Sequence, residues 1–176
     1  MPRLARIVVP GLPHHVTQRG NRREAIFFED GDQEVYRDLL REQAEKTGVS
    51  VWAYCMMPNH VHLILVPCEP DSLGRAVGET HRRYTNFINA RGRWTGHLFQ
   101  SRFASVALSD THLLRAVRYV SLNPVRAGLV PRAGVKTTDL CRAAGRRGDG
   151  GYGVGLVHRF KDDTVGGGEE ADPLRG

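Results

Sequence analysis

Lysine is nearly missing from this 176-residue chain: of 25 basic residues, only Lys46, Lys136 and Lys161 are not arginine. Cysteine is scarce as well. Cys55, Cys68 and Cys141 are three, with no C-x-x-C spacing, which argues against a disulfide framework and against a zinc ribbon. Cys55 lies in an apolar run and reads as a core thiol rather than a nucleophile. No hydrophobic run approaches the ~20 residues needed to span a bilayer. The opening Met1-Pro2-Arg3-Leu4-Ala5-Arg6 lacks the continuous apolar segment of a signal peptide. A soluble cytoplasmic protein without a membrane partner is expected. At 40% hydrophobic residues the composition is that of an ordinary globular chain, and the length suits one domain with a full core.

What is present is arginine, and it is segregated. Residues 1–23 hold five Arg and no acid, residues 24–71 three basic against ten acidic residues, and residues 72–130 nine Arg against Glu79 and Asp110. Residues 131–176 are close to balanced, with eight basic and seven acidic residues. Separation of this kind is what a nucleic-acid surface requires. Arginine also suits bidentate phosphate or guanine contacts and stacking on bases.

Periodicity places the elements. His14 to Arg19 reads as a strand, ended by the loop Gly20-Asn21-Arg22-Arg23. Asp30 to Thr47 reads as a helix with Gly48 at its C-terminal cap. Val49 to Met57 is β-rich, with Trp52 and Tyr54 on one face and Val51, Ala53 and Cys55 on the other. Pro58-Asn59 turns into a strand over His60–Val66, which makes a hairpin. Ser72 to about Ala90 is a second helix, Phe103 to Leu108 a fourth strand, and Thr111 to about Leu122 a third helix, capped by Asp110 and ended by Pro124. The order β-α-β-β-α-β-α is that of an α+β, ferredoxin-like antiparallel sheet with an added C-terminal helix. Two helices are expected on one sheet face and one on the other. Eleven of the 20 glycines fall in 131–176, so a folded domain over 1–130 and a disordered Gly/Arg-rich tail are expected.

Two short patterns carry chemistry. In Met57-Pro58-Asn59-His60-Val61-His62, alternation along a strand turns His60 and His62 to one face, about 7 Å apart along the strand. Two imidazoles so placed can close onto one metal ion, although a His-x-His alone is more often a polar strand surface. On the third helix, Leu113, Val117 and Val120 mark the buried side, and His112, Tyr119 and Asn123 form a flanking stripe. A tyrosine is a weak nucleophile at its ordinary pKa near ~10. Beside a divalent cation that holds a phosphate, its attack becomes feasible. The alternative is an amphipathic surface aromatic.

Taken together, four segments resemble the IS200-like single-tyrosine transposases, and within them the REP-associated tyrosine transposase branch. They are Gly11-Leu12-Pro13-His14-His15-Val16-Thr17-Gln18-Arg19-Gly20-Asn21-Arg22, the histidine segment above, Gly96-His97-Leu98-Phe99-Gln100-Ser101-Arg102-Phe103, and Arg118-Tyr119-Val120-Ser121-Leu122-Asn123-Pro124-Val125-Arg126-Ala127-Gly128. The resemblance implies a metal-dependent single-strand DNA endonuclease and strand transferase acting on single-stranded or hairpin DNA. His60 and His62 would be metal ligands, Tyr119 the nucleophile forming a 5′-phosphotyrosine link, and Asn123 the third ligand. Mg²⁺ or Mn²⁺ is the implied ion, and a histidine–amide set suits Mn²⁺ at least as well. The branch usually continues with an aromatic and Trp-Ser-Ser segment, which is missing after Val130. Both a homodimer and a monomer stay open.

For the DNA path, Arg82, Arg83, Arg91, Arg93 and Arg102 are expected to contact phosphates. Arg19, Asn21, Arg22 and Arg23 are expected to read a base or hairpin foot, and Trp94 to stack on an unpaired base. Tyr84, the competing tyrosine, has apolar spacing with Val77 and Ile88 that favours a core or stacking role. His81 and His97 read as surface or DNA-contact residues. The rival to catalysis is a hairpin-DNA binding protein that does not cleave.

Overall fold

In the computed structural model of this chain, residues 7–126 and 154–156 are described. They form β1 (His14–Arg19), α1 (Asp32–Thr47), β2 (Ser50–Met57), β3 (His60–Val66), α2 (Ser72–Gly92), β4 (Ala104–Ala107), α3 (Asp110–Arg126) and β5 (Val154–Leu156), with a 3-10 turn at Asn21–Arg23. The sheet order is β4-β1-β3-β2-β5, and every pair is antiparallel. Its first four strands carry the α+β, ferredoxin-like arrangement expected from the sequence. Within the glycine-rich tail, β5 pairs with β2. The rest of 131–176, Cys141 included, lies outside the described residues, as do Arg3 and Arg6.

Strand alternation divides the core in two. Val61, Leu63 and Leu65 of β3 point toward Tyr36, Leu40 and Ala44 of α1 and Leu73, Val77, Tyr84 and Ile88 of α2. Ile64 points the other way, into a smaller cluster with Ala53, Cys55, Met57, Leu108 and Val120, the last from α3. Each such large side chain contributes roughly 1.5–3 kcal/mol by leaving water, so the α1/α2 side holds most of the stabilising burial.

Several local expectations are corrected. The β2–β3 register slips between Val51 and Ala53, so Val51 joins the α1/α2 side while Ala53 and Cys55 face α3. A bulge inserts one unpaired residue and reverses the alternation beyond it; Trp52 is left 38% exposed. His81 is buried rather than on the surface. It hydrogen-bonds the Tyr36 hydroxyl at 2.9 Å and packs on Phe99 at 4.3 Å between ring centroids. Tyr84 takes the core role its spacing favoured, fully buried, with its hydroxyl donating to the Ile26 carbonyl at 2.8 Å. At the start of α3 it is Ser109, not Asp110, that takes the capping position, since its carbonyl accepts from the His112 and Leu113 amides. The helix also runs past Pro124 to Arg126. A proline removes one N–H and crowds the preceding turn, which disfavours a helix without forbidding it.

Candidate active site

β1 and β3 pair with Thr17 opposite His62 and Arg19 opposite His60. Directly opposed residues of antiparallel strands share a sheet face. His15, Arg19, His60 and His62 therefore all stand on the side that α3 covers. The His60 and His62 rings are 5.0 Å apart between centroids and nearly perpendicular. Tyr119 reaches them from α3, its ring edge-on to His62 at 5.4 Å and to His15 at 6.3 Å. It is 41% exposed, so the phenol is open to solvent while its flank rests on histidines.

Burial lowers the pKa of His15. It also lowers that of His60, and the neighbouring Arg19 charge adds to the effect. His62 is pushed down to about 3, by burial first and then by His60, His15 and Arg19. An imidazole must be unprotonated to ligate a metal, and His62 is held in that state. Cys55, which pairs with His62 across β2 and β3, has its thiol pushed up to about 12 by burial and remains an inert core group.

The hydrogen-bond network decides which nitrogen of His60 is available. The Asn59 amide donates from Nδ2 to the Arg23 carbonyl at 2.9 Å, which turns its Oδ1 toward His60 Nδ1 at 2.7 Å. A carbonyl oxygen only accepts, so His60 Nδ1 carries the proton and Nε2 keeps its lone pair. Asn123 stands one turn beyond Tyr119 on α3, and its amide Nδ2 is buried without a hydrogen-bond partner. Among the described residues, no three His, Cys, Asp or Glu side chains form a metal cluster. His60 and His62, with lowered pKa values and the His60 Nε2 lone pair free, are imidazoles of a kind that can ligate a divalent cation.

The proposed DNA-contact residues fall into two groups. Arg82, Arg83 and Arg91 lie on α2, across the sheet from Tyr119, and are engaged in ion pairs. Arg82 pairs with Glu79 at 2.6 Å, Arg83 with Glu42 at 2.7 Å, and Arg91 with Asp32 and Glu29. Arg19, Asn21, Arg22 and Arg23 instead sit at the His60 end of the sheet. Gly20 makes this turn because an added Cβ would collide with the Glu24 carbonyl oxygen and crowd Ile26. Arg22 and Arg23 both hold positive φ, 54° and 65°, a strained state that in non-glycine residues clusters at functional sites. Beside them, Asn21, Arg22, Phe28, Asn89, Trp94 and His97 line a cavity of about 270 Å³. Trp94 is 52% exposed and meets Phe28 edge-on at 5.2 Å. Arg93 caps α2 in the left-handed conformation, and Arg102 lines an adjoining cleft of about 770 Å³ with Asn21 and His97.

Sequence reasoning missed two members of this site. Asn59 was visible only as a turn residue. His15 was masked by its neighbour: of the pair His14-His15, His14 faces the opposite side, fully buried, its Nδ1 donating to the Leu12 carbonyl at 2.9 Å. The β1 alternation was the available signal, but which histidine faced α3 depended on strand register.

A family model described as "Transposase IS200 like" matches residues 8–123. Among solved structures, the chain is similar to a REP-associated tyrosine transposase bound to a REP hairpin. That match has TM-score 0.62 and 20% identity, covering 97% of this chain and 100% of that one. It is also similar to a candidate transposase of Deinococcus radiodurans R1, with TM-score 0.46 and 23% identity over 68% of this chain and 95% of that one. Comparison with curated proteins finds no match. Among the described residues no helix is long and apolar enough to cross a membrane.

Proposed function

The chain belongs to the IS200-like transposases, and from that membership and the site's geometry we propose a metal-dependent, single-strand DNA endonuclease and strand transferase of the REP-associated branch. The observation that carries the proposal is the meeting of Tyr119 with the histidine pair, 5.4 Å from the His62 ring on the one sheet face where both histidines project. In this reading His60 and His62 hold a divalent cation, Mg²⁺ or Mn²⁺, and Asn123 adds its amide oxygen. When bound, such a cation polarises the scissile phosphate and offsets charge in the transition state. Tyr119 Oη attacks the phosphorus, the bond to the 3′ oxygen breaks, and the phenolic proton passes to solvent while the leaving 3′ oxygen takes one up to become a hydroxyl. The 5′ side remains as a phosphotyrosine ester, and the released 3′-OH can attack it in return, which regenerates the tyrosine and rejoins DNA.

Affinity for the strand is assigned to the basic turn beside His60. Arg19, Arg22 and Arg23 suit phosphates, and the cavity between Phe28 and Trp94 suits an unpaired base, where stacking contributes about 1–3 kcal/mol. The acid-paired arginines of α2 support a structural role for Arg82, Arg83 and Arg91 better than a place on the path. The test is a covalent-adduct assay with single-stranded hairpin DNA and Mn²⁺. Wild-type protein is expected to form a denaturant-stable adduct and Tyr119→Phe none. An adduct that persists in Tyr119→Phe overturns the nucleophile assignment; binding without cleavage by wild type favours the non-catalytic alternative.

A further inference from the structure

His15 belongs to neither the His-x-His pair nor the tyrosine helix, yet it is bonded to the center of the site. His15 Nε2 and His62 Nδ1 lie 3.0 Å apart. Their ring centroids are 5.2 Å apart, and the planes are within 25° of parallel. The centroids are thus farther apart than the nitrogens by about one ring diameter, so both nitrogens lie near the line joining the rings. An imidazole nitrogen projects its lone pair, or its N–H, radially in the ring plane. The two nitrogens therefore point at one another. Two nitrogens sharing one metal ion would aim instead at a third point well off that line. The contact is a hydrogen bond with one proton between them.

Only one polarity of this bond leaves His62 able to ligate. Were His15 the donor, neutral His62 would accept at Nδ1 and carry its own proton on Nε2, where no lone pair remains. With His62 donating from Nδ1, its Nε2 is open, and His15 accepts at Nε2 while keeping its proton on Nδ1. His60 is set the same way by Asn59, whose amide is fixed by the Arg23 carbonyl.

We propose that His15 is a positioning residue that accepts the Nδ1 proton of His62, so that His60 and His62 present matching Nε2 lone pairs to one divalent cation. The assignment rests on the metal-binding reading above. Metal-bound histidines commonly donate their second N–H to a fixed acceptor, and loss of that acceptor typically lowers metal affinity ~10–100-fold.

Two readouts on the full chain test it. In metal-free protein, ¹⁵N spectra of the histidine rings should show His62 protonated at Nδ1 and bare at Nε2, and His15→Ala should abolish that pattern. Calorimetry with Mn²⁺ alone should find His15→Ala weaker by about 10–100-fold, with His15→Gln restoring most of the loss because its amide oxygen accepts a hydrogen bond. A purely structural role would not give rescue by an acceptor. Wild-type His62 protonated at Nε2, or His15→Ala binding Mn²⁺ as tightly as wild type, overturns this role while the metal site stands. Wild type with the expected tautomer but no Mn²⁺ binding overturns the metal reading itself, and the role falls with it.

Discussion

On the side of the sheet covered by α1 and α2, most of the buried polar groups pair with one another, Gln18 Oε1 and Ser105 Oγ being exceptions. Tyr36 meets His81, Tyr84 meets the Ile26 carbonyl, and Asp32 takes two backbone amides and the Arg91 guanidinium. Burial alone would raise the Asp32 pKa, but those hydrogen bonds outweigh it and hold the carboxyl below its ordinary value. On the side covered by α3, the apolar cluster is small, and three imidazoles, a half-exposed phenol and an unpartnered amide gather instead. A buried polar group without a partner costs free energy. The α3 face gathers titratable groups around a solvent-open phenol with little apolar burial, an arrangement more typical of a site than of a core. The other face supplies the stability that permits it.

Substitutions on the two faces of β3 and on the two tyrosines can break or sharpen this contrast. His60→Ala should give the largest effect, a loss of cleavage of about 10³-fold, as expected when several kcal/mol of metal-derived stabilisation is removed; its melting temperature should stay near that of wild type. Leu63→Ala, three residues along but on the opposite face, should reverse the pattern. Thermal or urea unfolding should show a loss of about 2–5 kcal/mol, with Mn²⁺ affinity unchanged in the folded fraction. An equal effect of both substitutions on Mn²⁺ binding would erase the division between faces.

Tyr84→Phe should cost about 1 kcal/mol, since the Ile26 carbonyl loses its partner, and adduct formation should persist. Burial pushes the Tyr84 pKa well above its ordinary value, so this tyrosine is unsuited to attack; a Tyr84→Phe protein unable to form the adduct would contradict the contrast. The smallest effect concerns acid. His81 is held down to about 3 by burial, against 6.5 for the free group. A depressed histidine stabilises the fold fully above the unfolded value, and that contribution is lost as pH falls toward the folded one. Unfolding midpoints should therefore drop between pH ~6.5 and ~3. His81→Leu should remove its share of that dependence, with His62 supplying the rest, although it lowers stability at neutral pH by orphaning the Tyr36 hydroxyl.

Much of this was legible in the chain because it depends on neighbours in sequence. The hairpin over Pro58-Asn59, the shared face of His60 and His62, and the helix carrying Tyr119 follow from local periodicity. Gly48 ends α1 with φ 67° as a cap should. Long-range choices were not legible. His81 has an ordinary surface-like sequence context and is buried only because Tyr36, 45 residues away, supplies its partner. Arginines on α2 are indistinguishable from DNA ligands until Glu42 and Asp32 are seen beside them.

By itself the sequence determined the strand and helix order, the family, and which residue types could hold a metal and attack a phosphate. Those properties are written in spacing along one strand or one helix. Tertiary structure alone decided that β1 lies against β3 in the register that sets His15 Nε2 3.0 Å from His62 Nδ1. It also decided that Asn59 faces His60 with its oxygen. A tautomer is fixed by the partner across the sheet, and no pattern within one strand specifies that partner's position.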